Sequence, residues 1–358
     1  MKQDAKQIAA QFIPADTIAD IKPLGNGNIN DTYLVTTTDA DTHDYVMQRV
    51  NHKVFTDVDM LMRNILAVTS HIRRKLEAEG ADDIDRKVLT FLPLASDSSK
   101  YYYFDGENYW RLMRFISGAH TVDNVTPASA YTCGKAFGKF QAMLVDLPET
   151  LGETIPDFHN MEFRLRQLRE AVEADPVGRV ESVRELIDKL EARADYMCMA
   201  ERLHREGRLP KRICHCDTKV NNMMFDDATD EMLLVIDLDT VMPSYIFSDT
   251  GDFLRTGACT TTEDDPNVDN IDLDMDVYNA FTRGYMESAG EFLTPEERDN
   301  IPYSAALFPY MQCVRFLADY INGDTYYKIA YPEHNLVRSN AQMRLVEQVE
   351  RRLNLHTH

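Results

Sequence analysis

The sequence predicts an α+β protein of two lobes: a small antiparallel sheet lobe over residues 1–116 and a larger helical lobe over residues 117–358. Three observations predict it. Thr-, Tyr-, Val- and Leu-rich segments that favour strands gather in the first lobe. After residue 127 apolar residues recur at helical spacing. An acidic, amide-bearing motif then falls on a loop between helices of the second lobe. A chain of 358 residues is too long for one core and suits two.

Residues 18–24 are short and partly apolar, and Pro23 weakens the strand reading there. Residues 31–37 and 44–50 read as strands about a turn at 39–43. Gly25-Asn26-Gly27-Asn28-Ile29-Asn30 forms a loop rich in residues that accept positive φ. The order is strand, Gly loop, strand, which argues against a Rossmann or P-loop site. Thr56 is the expected N-cap of a helix carrying Val58, Leu61, Met62, Ile65, Leu66, Val68 and Ile72. Further strands are expected at 88–94 and 109–116, with Ser117-Gly118 as a hinge. Cys133, Phe137, Phe140, Leu144 and Leu147 make a helical stripe, and 161–174 and 180–206 read as long amphipathic helices. Residues 232–236 read as a strand. Helices follow around 277–289, 295–300, 309–321 and 340–353, the second capped by Thr294 with Pro295 at its first position.

Composition narrows the function. The formal net charge of −21 repels phosphate backbones and anionic lipid, so neither nucleic acid nor membrane is an expected partner. No long apolar run and no signal-peptide pattern occurs, which implies a cytoplasmic protein. Six cysteines at 133, 198, 214, 216, 259 and 313 form no paired CxxC sets, so zinc is not expected and the thiols read as reduced. Asp272, Asp274 and Asp276 imitate the start of a calcium loop, but Val277 and Arg283 stand where Gly and Glu are needed; they read as helix-capping acids. No Gly-x-Ser-x-Gly and no histidine cluster supports hydrolase chemistry.

The informative segment is His215-Cys216-Asp217-Thr218-Lys219-Val220-Asn221-Asn222, followed by Val235-Ile236-Asp237. Phosphoryl transfer from ATP needs a carboxylate to receive the acceptor proton. It also needs an amide oxygen and a second carboxylate to hold Mg2+ between the phosphates. Asp217 is the candidate base, and Asn222 and Asp237 the candidate metal ligands. His215 reads as structural, bonding to backbone. Lys219 is either a cation for the transferring group or a surface lysine.

These residues, with Asp249-Thr250-Gly251-Asp252, resemble the aminoglycoside phosphotransferase/choline kinase superfamily, which has a protein-kinase-like two-lobe fold. The N-acetylhexosamine 1-kinase branch is a closer likeness. Ile236-Asp237-Leu238-Asp239-Thr240-Val241-Met242-Pro243, Arg315-Phe316-Leu317-Ala318-Asp319-Tyr320, Tyr331-Pro332-Glu333-His334-Asn335-Leu336-Val337-Arg338 and the loop from Gly25 to Leu34 carry it, over almost the whole chain. The resemblance implies transfer from ATP–Mg2+ to the anomeric hydroxyl of a free N-acetylhexosamine, an amino sugar. Asn30, Arg315 and Tyr326 would then contact sugar, and Asp239, Asp249 and Asp252 would support the catalytic loop from behind. Another acceptor (an aminoglycoside, choline, homoserine or a different sugar) and a non-catalytic nucleotide binder are the alternatives.

Several residues keep two readings. Arg315 is a ligand contact or the partner of Asp319 or Asp249. Tyr326 is a ligand contact or a core aromatic. A protein kinase carries a lysine on its third strand, but Gln48 and Arg49 stand there. Arg49 or another cation replaces it, or Gln48 bonds a phosphate oxygen. Gly25, Asn26, Gly27 and Asn28 cover phosphate or make a tight turn.

Overall fold

The computed structural model describes residues 2–25, 29–38 and 43–355. Asn26, Gly27 and Asn28 of the Gly loop lie outside the described residues. In chain order the elements begin with α1 (Lys2–Ala9), β1 (Ile18–Pro23), β2 (Asp31–Thr37), β3 (Tyr45–Val50) and α2 (Val58–Ala78). Next come β4 (Tyr103–Phe104), β5 (Tyr109–Arg114), β6 (Ala119–His120), α3 (Pro127–Leu144) and α4 (Met161–Ala174). They continue with α5 (Arg184–Glu191), α6 (Ala194–Met197), α7 (Met199–Arg205), β7 (Arg212–Cys214), β8 (Met223–Asp226), β9 (Met232–Val235) and β10 (Met242–Ser244). The last are α8 (Phe247–Gly257), α9 (Met275–Ala289), α10 (Pro295–Asp299), α11 (Ile301–Ile321) and α12 (His334–Leu353). The expected α+β class, with an antiparallel sheet first and helices after it, is what the chain forms.

Two compact units divide these elements. The first is Met1–His120 with Asp146–Pro156 and Met224–Met242, and the second is Thr121–Val145, Asp157–Met223 and Pro243–His358. The first thus runs through His120 and also takes in two later segments.

In the first unit the sheet order is β1-β2-β3-β5-β4, antiparallel throughout. Pro23 is accommodated because β1 is an edge strand, where a missing N–H breaks no ladder. Strand alternation sends Val35, Met47 and Leu112 to one face, against Ile8, Phe12 and Ile13. Gln48 and Arg111 pair directly across β3 and β5, and so share the other face, where Arg111 meets Met62 of α2. The cap of α2 is Asp57, one residue later than expected, whose carboxylate accepts the Met60 N–H. Residues 88–94 do not form the expected strand. Among the described residues the segment makes isolated bridges alone, Phe91 to Met113 and Leu94 to Asp97, and Pro93 denies it a ladder donor.

In the second unit α3 and α9 approach closely. A Cβ on Gly134 would lie 2.1 Å from the Phe281 carbonyl oxygen, so only glycine permits this packing. The expected long helix over 180–206 is instead broken into α5, α6 and α7. One break coincides with Arg193, whose guanidinium turns inward to the Glu350 carboxylate at 2.6 and 2.9 Å and to the Lys189 carbonyl. Asp274 caps α9 by accepting from Asp276 and Val277, and Thr294 with Glu297 forms a capping box at α10. Among the described residues no helix is long and apolar enough to cross a membrane.

Candidate active site

The catalytic segment follows β7 as a loop whose backbone is held by carboxylates from one helix. Asp249, at the start of α8, accepts the N–H of His215 at 3.0 Å and of Cys216 at 2.8 Å. Gln141 of α3 donates to the same carboxylate at 2.6 Å, and its own Oε1 accepts from the Tyr285 hydroxyl. One turn on, Asp252 accepts the Thr218 N–H at 2.9 Å, while the Thr218 hydroxyl donates to the Asp249 carbonyl at 2.7 Å. Cys216 adopts φ 64°, a left-handed conformation that costs a non-glycine residue energy and survives because both flanking amides are pinned. Gly251 is required between the two acids, since a Cβ there would lie 2.6 Å from the Ser304 carbonyl oxygen of α11.

His215 lies fully buried, edge-on to Phe137 and Phe140, and its Nδ1 accepts the Asp217 N–H at 3.3 Å. The Asp217 side chain is gripped from both sides. Lys219 Nζ stands 2.7 Å from its Oδ1, and Asn222 Nδ2 donates to its Oδ2 at 3.2 Å and its carbonyl at 2.7 Å. Because Asn222 spends its nitrogen on Asp217, its Oδ1 is the end left for a hard cation. Burial works against the Lys219 ammonium, but the carboxylates of Asp217 and Asp252 outweigh it and raise its pKa. Burial raises the pKa of Asp249 and of Asp252, opposed by His215 at the first and Arg255 at the second. Arg255 stands 3.6 Å from Asp252 and 2.9 Å from Glu263.

Elsewhere in the second unit, Arg315 of α11 pairs with neither Asp319 nor Asp249. It donates to Gln312 and lies over the rings of Phe158 and Tyr327. Asp319 is committed to a loop instead, accepting the N–H groups of Thr325, Tyr326 and Tyr327 and the Asn335 amide. That loop presents Tyr326 at 73% exposure, so it is no core residue. Arg164, which donates to the Phe158 carbonyl and Gln167, has its pKa lowered to about 10 by burial and then by Arg315. Burial, then Arg315, Arg164 and Arg255, holds the pKa of His159 well below its ordinary value. Among the described residues no carboxylate forms an ion pair with Arg164 or Arg315.

The first unit gathers Asn30, Gln48 and Asp239 around Arg111. The guanidinium donates to Gln48 Oε1 at 2.7 and 3.0 Å and stands 2.6 Å from Asp239 Oδ1. Asn30 donates to Asp239 Oδ2 at 2.6 Å and accepts the Asn51 N–H at 2.8 Å. Gln48 Nε2 reaches Thr32. Both ends of Gln48 and of Asn30 are therefore engaged within this unit. Arg49 pairs with Asp31 on the surface. Gly25 lies ahead of β2 at φ 66°. Asp237 follows β9 at φ 59°, ψ 61°, two residues before Asp239. Among the described residues no group of three or more His, Cys, Asp or Glu side chains could hold a metal, so a cation here would depend on phosphate oxygens as well.

Sequence reasoning missed Arg111 and Gln141. Each had a signal: an arginine inside Tyr109-Trp110-Arg111-Leu112-Met113, and a glutamine beside the apolar stripe of α3.

The chain belongs to the phosphotransferase enzyme family known as APH, whose profile matches residues 20–285. It is accordingly a small-molecule kinase of the aminoglycoside phosphotransferase/choline kinase superfamily, a phosphotransferase with a hydroxyl acceptor. Three solved structures share the fold. An aminoglycoside phosphotransferase from Alicyclobacillus acidocaldarius has TM-score 0.58 and 14% identity, covering 98% of this chain and 96% of its own. A spectinomycin phosphotransferase complexed with ADP and spectinomycin has TM-score 0.57 and 12% identity, covering 98% of each chain. A microcompartment-associated aminopropanol kinase has TM-score 0.58 and 16% identity, covering 99% of each.

Proposed function

We propose that this kinase transfers phosphate from ATP–Mg2+ to the anomeric hydroxyl of an N-acetylhexosamine. The observation that supports the chemistry most is the grip on Asp217 by Lys219 and Asn222, on a loop pinned by Asp249 and Asp252. In this reading Asp217 orients the acceptor hydroxyl and receives its proton. Lys219 holds that carboxylate in place through its ion pair and adds positive charge beside the developing phosphoryl charge. Asn222 and Asp237 are assigned to Mg2+, which would neutralise phosphate charge when bound. Gly25–Asn28 and a cation of the sheet unit are assigned to the nucleotide, and Arg315 and Tyr326 to the sugar, with Asn30 proposed in support.

The acceptor is argued from charge. Arg315 and Arg164 are two guanidiniums that form no carboxylate ion pair among the described residues, in a protein of net charge −21. Such a pair disfavours a cationic acceptor such as choline or an aminoglycoside, and suits neutral hydroxyl and acetamido oxygens. The test is an acceptor panel with ATP and Mg2+, read as ADP release. N-acetylglucosamine or N-acetylgalactosamine should stimulate release well above choline, homoserine or kanamycin. Stimulation by a cationic acceptor alone would remove the sugar assignment while leaving the kinase.

A further inference from the structure

The kinase template puts a lysine where Gln48 stands, and the structure explains why this chain cannot use one. Gln48 faces Arg111 directly across β3 and β5. A lysine there would set a second cation beside the buried Arg111 guanidinium, whereas the Gln48 oxygen accepts two of its N–H groups. The charge has moved to the neighbouring strand.

Arg111 does not serve a ligand by contact. Only 2% of it is exposed, and its directions are filled by Gln48, Asp239, Met62 and the ring of Phe91 at 5.4 Å. Its counter-ion Asp239 is equally buried and is held from the other side by Asn30. Burying such a pair is expensive, and apolar residues of similar volume would do as well for stability alone. Its partners therefore matter. Arg111 and Gln48 sit on the rigid sheet, Asn30 precedes β2 and is tied to Asn51 at the end of β3, and Asp239 sits two residues after Asp237. Asp237 itself is held at φ 59°, a conformation that asparagine or glycine would adopt with less strain.

We infer that the Arg111–Asp239 ion pair, with Gln48 and Asn30 as its supports, is the positioning device that fixes the backbone of Asp237 and thereby aims its carboxylate at the metal. The inference rests on the kinase reading of Asp237. Arg111 is a positioning residue acting through Asp239, and its planar fork is what a lysine cannot supply: two N–H groups to Gln48 while a third nitrogen stands in ion-pair contact with Asp239.

Two variants test this without stranding a buried charge. Arg111→Lys keeps the ion pair but loses the fork. The double variant Arg111→Met with Asp239→Asn removes both charges together. The readouts are the thermal midpoint and the affinity of the ADP-loaded protein for Mn2+, followed by electron paramagnetic resonance of the free ion. Both variants should remain folded while Mn2+ affinity falls roughly 10–100-fold, the usual consequence of losing a group that orients a metal ligand. Wild-type Mn2+ affinity in either folded variant overturns the inference and leaves the pair a packing feature. If the wild-type protein binds no Mn2+ with ADP, the kinase reading of Asp237 fails, and this inference with it.

Discussion

Glu201 makes a stability prediction whose size can be worked out. It sits on α7, 7% exposed, and its Oε1 accepts the Met161 N–H at 2.6 Å, at the first residue of α4. Its other oxygen is buried and finds no hydrogen-bond partner among the described residues. Burial raises its pKa to about 7 from 4.5, only partly opposed by the Met161 N–H. The folded chain therefore holds this proton to higher pH than the unfolded chain does. Stability from the site is complete below about pH 4.5 and is lost as pH rises through about 7. At roughly 1.4 kcal/mol per pKa unit, the loss amounts to about 3 kcal/mol. Glu201→Gln keeps an oxygen for Met161 and cannot ionise. Urea unfolding of both proteins between pH 4.5 and 8.5 measures the difference. The wild type should lose about 3 kcal/mol relative to the variant across that range, whatever the other buried acids contribute to both curves. Parallel curves would refute the reasoning, because they would mean that Glu201 is already ionised in the fold at low pH.

Three further outcomes are expected. Asp217→Asn should abolish turnover while calorimetry still detects nucleotide binding, because the amide cannot accept the acceptor proton; full activity would remove Asp217 from its assigned role. Asp249→Ala leaves the His215 and Cys216 N–H groups and the Gln141 amide without their acceptor, so it should cost at least about 3 kcal/mol in urea unfolding, taking roughly 1 kcal/mol or more per stranded donor. Asp319→Ala releases three loop N–H groups beside Tyr326, and should raise the KM for the acceptor several-fold while the KM for ATP stays unchanged.

The sequence by itself determined the two kinds of lobe and which side chains gather on one loop. Strand and helix periodicities are local properties, and Asp217, Lys219 and Asn222 lie within one turn of chain, so their association is written in their spacing. Caps such as Thr294 are equally local. Where competing local signals were close, as between Thr56 and Asp57 or at the proline after Leu92, the boundaries shifted. Only the tertiary structure decided which partners the distant charges found. Arg315 could have met Asp319, but that carboxylate was already claimed by the loop amides it caps. Nothing in the sequence joined Gln48 to a cation until β5 paired with β3 and brought Arg111 opposite it. Asp239 then reached the same guanidinium from far along the chain, because a charge buried among Met62, Phe91 and the sheet must find its opposite or not be buried at all.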